Sequence, residues 1–218
     1  MQFINDVIEF LPVLLQGVWL TIVVTVGALV LSTLLGIMLA LMRVSGKWFL
    51  DKTALVVINF LRGIPIIVQL FYIYFVLPEF GISLSAVQAG IIGLGIAYSA
   101  YQAENFRAGI QAIDRGQLEA AQSIGMGWAL TMRRVILPQA FRIALPPYGN
   151  TMIMLLKDSS QASTITVAEL AMQGKLLAAA TFKNTAVFST VALLYLVMCV
   201  PLIILVGRLE KKMGGKGR

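Results

Sequence analysis

The chain has no histidine and a single cysteine, and only 12% of its 218 residues are charged. Without histidine it lacks the commonest general base and metal ligand, which argues against an intramembrane hydrolase or metalloenzyme. Cys199 cannot close an intrachain disulfide and has no partner spaced as a metal ligand. Deep in an apolar run, it reads as a small core residue. No GxxxxGK[ST] run occurs, and the tail Gly214-Gly215-Lys216-Gly217 lacks the spacing of a phosphate-binding loop. ATP hydrolysis, if the function needs it, must come from another chain. A cleavable signal peptide is not expected, because the first residues carry Asp6 and Glu9 and no base, and the apolar run behind them is too long. An internal repeat is also missing. Many stand-alone secondary transporters are built from two related halves, so a chain without halves reads as one half of a dimeric pore.

What is present is apolar. Hydrophobic residues make up 59% of the chain and mean hydropathy is +0.87, against about 25% charged residues in an ordinary soluble domain. The chain reads as an all-α integral membrane protein forming a single domain over residues 1–218. Five spans meet the roughly 20 residues needed to cross hydrocarbon. They run from about Leu11 to Met42, Thr53 to Leu77, Ser85 to Arg107, Phe141 to Ser160 and Thr185 to Leu209. Arg43, Lys47 and Lys52 follow the first span. Arg107, Arg115, Arg133, Arg134 and Arg142 surround the link between the third and fourth. Arg208, Lys211, Lys212, Lys216 and Arg218 end the chain. By the positive-inside rule the N-terminus is outside and the C-terminus cytoplasmic. The net charge of +7 follows from this arrangement and does not indicate nucleic acid.

Small residues recur every four positions at Ser32, Gly36 and Ala40 and at Ala89, Gly93 and Ala97. Such spacing lets helices approach closely in lipid, within the chain or across a dimer seam. Val167 to Ala180, with Glu169, Gly174 and Lys175, is too short to cross and reads as an outer segment.

The cytoplasmic link, about 114–138, is the most informative stretch. The third helix is expected to stop near Gly116. Gln117 to Ile124 reads as a new helix with Glu119 in its first turn and Ala120 and Ala121 as strong helix formers. Gly125 ends it. Trp128 to Val135 reads as a second short helix with Arg133 and Arg134 near its C-terminus, and Pro138 opens the fourth span. Two short helices meeting at Gly125 form an elbow with one small-residue side. The residues alone allow a surface gripped by a partner or a solvated connector.

Glu119-Ala120-Ala121, Gly125 and Leu137-Pro138 resemble the EAA loop of ABC importer permeases, with Val135 where isoleucine is usual. Phe60-Leu61-Arg62-Gly63-Ile64-Pro65 through Val68-Gln69-Leu70-Phe71 is similar to the FRGTP…VQLF stretch of polar amino acid permeases. Tyr98 to Gln111, with Glu104 and Arg107, resembles the segment before their EAA loop. Leu156-Lys157-Asp158-Ser159-Ser160 resembles their LKDTSL stretch, with Ser159 for threonine and Gln161 where leucine would stand. The match covers most of the chain and is to the histidine, glutamine and arginine type. It implies a multi-pass subunit of the prokaryotic inner membrane that has no cofactor of its own. It also implies a second permease subunit, identical or paralogous, two cytoplasmic ATPases that use ATP and Mg, and an extracytoplasmic substrate-binding protein. Glu119, Ala120, Ala121, Gly125, Arg133, Leu137 and Pro138 would then form the ATPase-coupling surface.

Charged residues inside spans are costly and become candidates for a substrate site. Arg62, beside a helix break at Gly63 and Pro65, suits a carboxylate, or else pairs internally with Asp158 or Glu104. Asp158 suits an ammonium or basic side chain, with Ser159 and Gln161 completing the shell; the bland alternative is that the fourth span ends there in outer water. Gln69 and Tyr98 are further candidates. Tyr101 and Gln102 belong with them, although tyrosines often serve as interfacial anchors. Glu104 and Arg107, three apart, are placed to pair along their helix. The rival functions are a self-sufficient secondary carrier or channel, which would not need ATP, and a membrane enzyme, for which no nucleophile–base pair is evident.

Overall fold

A computed structural model describes residues 2–214, so Lys216 and Arg218 of the basic tail, and most of the Gly214–Gly217 run, lie outside the described residues. Among those described there are helices and turns and no strand. The nine α-helices are α1 (Gln2–Arg43), α2 (Trp48–Gly63), α3 (Ile66–Phe71), α4 (Ala86–Gln111), α5 (Arg115–Ser123), α6 (Trp128–Thr131), α7 (Leu137–Asp158), α8 (Leu170–Thr181) and α9 (Asn184–Gly214).

Two helices, α1 and α9, are by themselves long and apolar enough to cross a membrane. At 42 residues, α1 is on the order of 60 Å long. It begins well before Leu11, the expected start of the first span. The expected second span, Thr53 to Leu77, is not one helix: α2 and the α3 segment meet at a bend of 98°. The cause is local. Ile64 precedes Pro65 and takes an extended conformation (φ −106°, ψ 130°), because a residue before proline is pushed out of the helical region. Beyond Phe71 the chain continues through a π turn (Tyr72–Val76) and a 3-10 turn (Leu77–Phe80), then reverses at Gly81 with φ +83°.

α4 sits at the centre. Ser85 and Gln88 form a reciprocal capping box at its start, which satisfies two otherwise orphaned backbone donors. Its small residues let neighbours approach. A Cβ on Gly93 would lie 2.7 Å from Leu70, on Gly95 2.7 Å from Leu31, and on Gly109 2.8 Å from the Ala140 carbonyl. Gly36 of α1 faces Gln102 as closely, while Ser32, Ala40, Ala89 and Ala97 are buried. The four-residue repeats therefore serve packing within the chain.

α7 is followed by a 3-10 turn (Ser159–Ile165) that reverses at Thr166 (φ 66°) and leads into α8, the short segment expected over Val167 to Ala180. Glu169 is fully buried there. Its carboxylate caps α8 by accepting from the Ala171 and Met172 amides, and it also accepts from the Tyr195 hydroxyl at 2.8 Å. Burial nevertheless pushes its carboxyl above the usual carboxylate range.

Candidate functional site

The link between α4 and α7 forms an elbow, with three departures from expectation. α4 stops at Gln111, not near Gly116. Asp114 then caps α5, accepting from the Gly116 amide, so Gly116 lies in the first turn of α5. Glu119 therefore sits in the second turn, and Asp114 supplies the negative charge at the start. Finally, the helix from Trp128 does not end near Val135. It runs through a π turn (Met132–Ile136) straight into α7. The π turn has a local cause. Pro138 has no N–H to bond back into the helix, and a turn widened to i→i+5 bonding, seen from the Leu137 amide to the Met132 carbonyl, absorbs that loss. Arg133 and Arg134 thus lie mid-helix and gain nothing from a helix terminus.

Gly125 behaves as expected. The Met126 amide bonds the Ala121 carbonyl at 3.0 Å and the Gly125 amide bonds that of Gln122 at 2.9 Å. This is the Schellman pattern, which needs a left-handed residue, and Gly125 has φ +78° with nothing within 4 Å of a Cβ built there. Glu119, Ala120, Arg133, Leu137 and Pro138 are exposed, whereas Ala121 is buried. On either side of the Gly125 turn, Ile124 is 77% exposed and Trp128 65%. The sequence reading did not single out these two. The available signal was a large apolar residue on either side of the Gly125 turn.

A second group gathers on α4, reached by Arg62 of α2 and Asp158 at the end of α7. The Tyr98 hydroxyl, from a fully buried side chain, donates to Asp158 Oδ2 at 2.7 Å. The Tyr98 and Tyr101 rings lie 5.7 Å apart, and the Arg62 guanidinium sits 5.6 Å from the Tyr101 ring centre. Arg62 is exposed and forms no ion pair among the described residues; Glu104 pairs with Arg107 instead, at 2.6 Å. A cation and a carboxylate thus stand at the two ends of a pair of tyrosines. Gln69 and Ser159 are engaged otherwise. Gln69 donates to the Leu61 and Ile64 carbonyls at 2.8 and 2.9 Å, repairing the α2–α3 break. Ser159 is buried and donates to the Leu156 carbonyl. Gln161 is half-buried, and its side chain makes no hydrogen bond among the described residues. No cluster of metal-ligating side chains occurs among the described residues.

A family model described as "binding-protein-dependent transport system inner membrane component" matches residues 32–215. The chain belongs to this family. Its likeness to relatives runs nearly end to end. A probable amino-acid ABC transporter permease protein, YckA of Bacillus subtilis, is 38% identical over 205 residues, covering 94% of this chain and 91% of the relative. The glutamine transport system permease protein GlnP of Escherichia coli K12 is 36% identical, covering 93% and 94%. The crystal structure of an amino acid ABC transporter with histidines superposes with a TM-score of 0.88 at 38% identity, covering 94% of this chain and 96% of that one. The inward-facing MetNI methionine ABC transporter, at 22% identity and TM-score 0.77, shares the fold. The resemblance drawn from the EAA run and its companion stretches therefore holds: this is an inner-membrane permease subunit of the ABC type.

Proposed function

We propose that this subunit belongs to an ATP-driven importer that moves a polar amino acid into the cytoplasm by alternating access. The observation that carries the reading is the exposed elbow. EAA residues and an apolar pair, Ile124 and Trp128, flank one left-handed glycine on a permease-family chain. A surface of that kind costs free energy to leave in water and suits insertion into a partner groove. The partners are two cytoplasmic ATPases, which bind the ATP and Mg, a second permease subunit, identical or paralogous, and an extracytoplasmic binding protein. In this reading α1, the broken α2–α3 pair, α4, α7 and α9 make five crossings, and the lysine and arginine distribution supports an outside N-terminus with the elbow and C-terminus in the cytoplasm.

The substrate reading follows from the charges. A free amino acid carries a carboxylate and an ammonium. Arg62 matches the first in a two-pronged fashion, and Asp158, oriented by Tyr98, matches the second. Gln161 offers an unengaged amide to a polar side chain, while Gln69 and Ser159 hold the backbone around them. The test is purification with whatever the subunit retains, then ATPase assay against a panel of amino acids with and without the binding protein. A co-purifying ATPase stimulated by one class of amino acid supports the proposal. Survival of both ATPase retention and transport in Glu119→Lys would sink the elbow assignment.

A further inference from the structure

We propose that α7 is a hinged lever, in which residues 128–145 swing with the elbow about Pro146–Pro147 while residues 147–158 stay fixed to α1 and α4. The proposal rests on the permease reading above. Three observations meet at this point. The first is the double proline. Neither ring nitrogen carries a hydrogen, so the carbonyls of Arg142 and Ile143 lose their donors within the helix. Breaks of this kind are where helices bend.

The second is that the polar fastenings of α7 to α1 and α4 lie on one side of the break. Tyr148 hydrogen-bonds Thr33 of α1 at 2.9 Å and stacks on Phe106 of α4. Asn105 of α4 donates to Thr151 at 2.9 Å and reaches the Pro147 carbonyl at 3.4 Å. On the elbow side, no side-chain hydrogen bond from residues 137–145 reaches α1, α4 or α9 among the described residues. The contact there is small against small, Gly109 on Ala140 and Ala144, which permits sliding.

The third is space. An open apolar groove of about 510 Å³ lies between α1, α4 and the elbow half of α7, walled by Ile37 and Leu41, by Phe106 and Ile110, and by Leu137 and Phe141. Thr33 and Tyr148, joined by their hydrogen bond, also line it. A helix fastened above a break, smooth below it and bordered by an apolar groove has a direction in which to move. Because residues 128–158 form one helical run, a push on Trp128 reaches the break directly, and the fixed residues beyond it hold Asp158 in place.

The experiment uses the complex with its ATPase reconstituted in lipid, with Cys199→Ala and spin labels on one copy. One pair, Arg134→Cys with Lys47→Cys, spans the elbow half and the start of α2, just beyond α1. The other, Val30→Cys with Met154→Cys, spans the fastened half; all four positions are exposed. On addition of ATP the first distance is expected to change by on the order of 5 Å, about one helical turn, and the second to stay constant. In the double variant Pro146→Ala, Pro147→Ala, the first change is expected to fall to less than half and substrate moved per ATP to drop severalfold, with ATPase still bound. Equal changes in both pairs, or none in either while transport continues, would overturn the hinge. If no ATPase binds at all, the permease reading fails first, and with it the lever.

Discussion

Replacing Gly125 tests the elbow at a position where only backbone conformation is at stake. The residue has φ +78° and no atom within 4 Å of a Cβ built on it, so a β-carbon meets nothing within the subunit. What changes is the cost of the left-handed conformation, roughly 1–2 kcal/mol for an ordinary L residue, somewhat more for a β-branched one and less for asparagine. If the free subunit relaxes out of that turn, docking must restore it, and the partner's apparent affinity falls by the whole strain. One to two kcal/mol corresponds to a factor of roughly 5–30. The expected order of ATPase affinity is glycine, then asparagine, alanine and valine, the last about tenfold or more below the parent. The assay is titration of purified ATPase onto the reconstituted variants, with ATP-driven uptake measured in parallel. If asparagine is no better than valine, the effect does not come from backbone strain. If all four bind alike, the turn does not shape the docking surface.

Other outcomes follow from the same geometry. Trp128→Ala is expected to cost about 2 kcal/mol or more of ATPase binding, as for a central aromatic anchor, with the thermal stability of the subunit unchanged; retained binding would remove Trp128 from the interface. Tyr98→Phe deletes a hydrogen bond to a carboxylate, of about 1.5–3 kcal/mol, and is expected to raise the transport KM about tenfold or more with a smaller effect on maximal rate; an unchanged KM would detach Tyr98 and Asp158 from the substrate. Gln69→Leu leaves the Leu61 and Ile64 carbonyls without their donor, at about 1–3 kcal/mol for each buried group, and should lower the melting temperature in detergent; a stability equal to the parent would show that the break does not need the amide.

How much of this was legible in the sequence depended on how local the cause was. Gly125 and the Ile64–Pro65 break were readable because each follows from one residue's backbone limits. α8 was readable because its length forbids a crossing. Gly116 misled because a glycine can end a helix, whereas here the Asp114 carboxylate two residues earlier starts the next one. Pro138 misled in the same way: it reads as a helix start, and only the geometry reveals the π turn that carries the helix through it. The fastening role of Gln69 was not legible, because the two carbonyls it serves are orphaned by a bend whose angle no sequence pattern encodes. The pairing of Tyr98 with Asp158 joins residues sixty apart in the chain. The expected internal partners of Arg62 were wrong for a similar reason, since Tyr98 and Arg107 had already engaged the two carboxylates.

The central claim is that this permease subunit moves an amino acid at the expense of ATP hydrolysed by a partner docked on its elbow. Uptake of labelled amino acids into liposomes holding the co-purified complex tests it most directly, with ATP on the ATPase side and all ion gradients collapsed. The account predicts uptake that requires ATP, survives ionophores and is lost in Gly125→Val. Uptake by the subunit alone, driven by an ion gradient and indifferent to ATP, would contradict it.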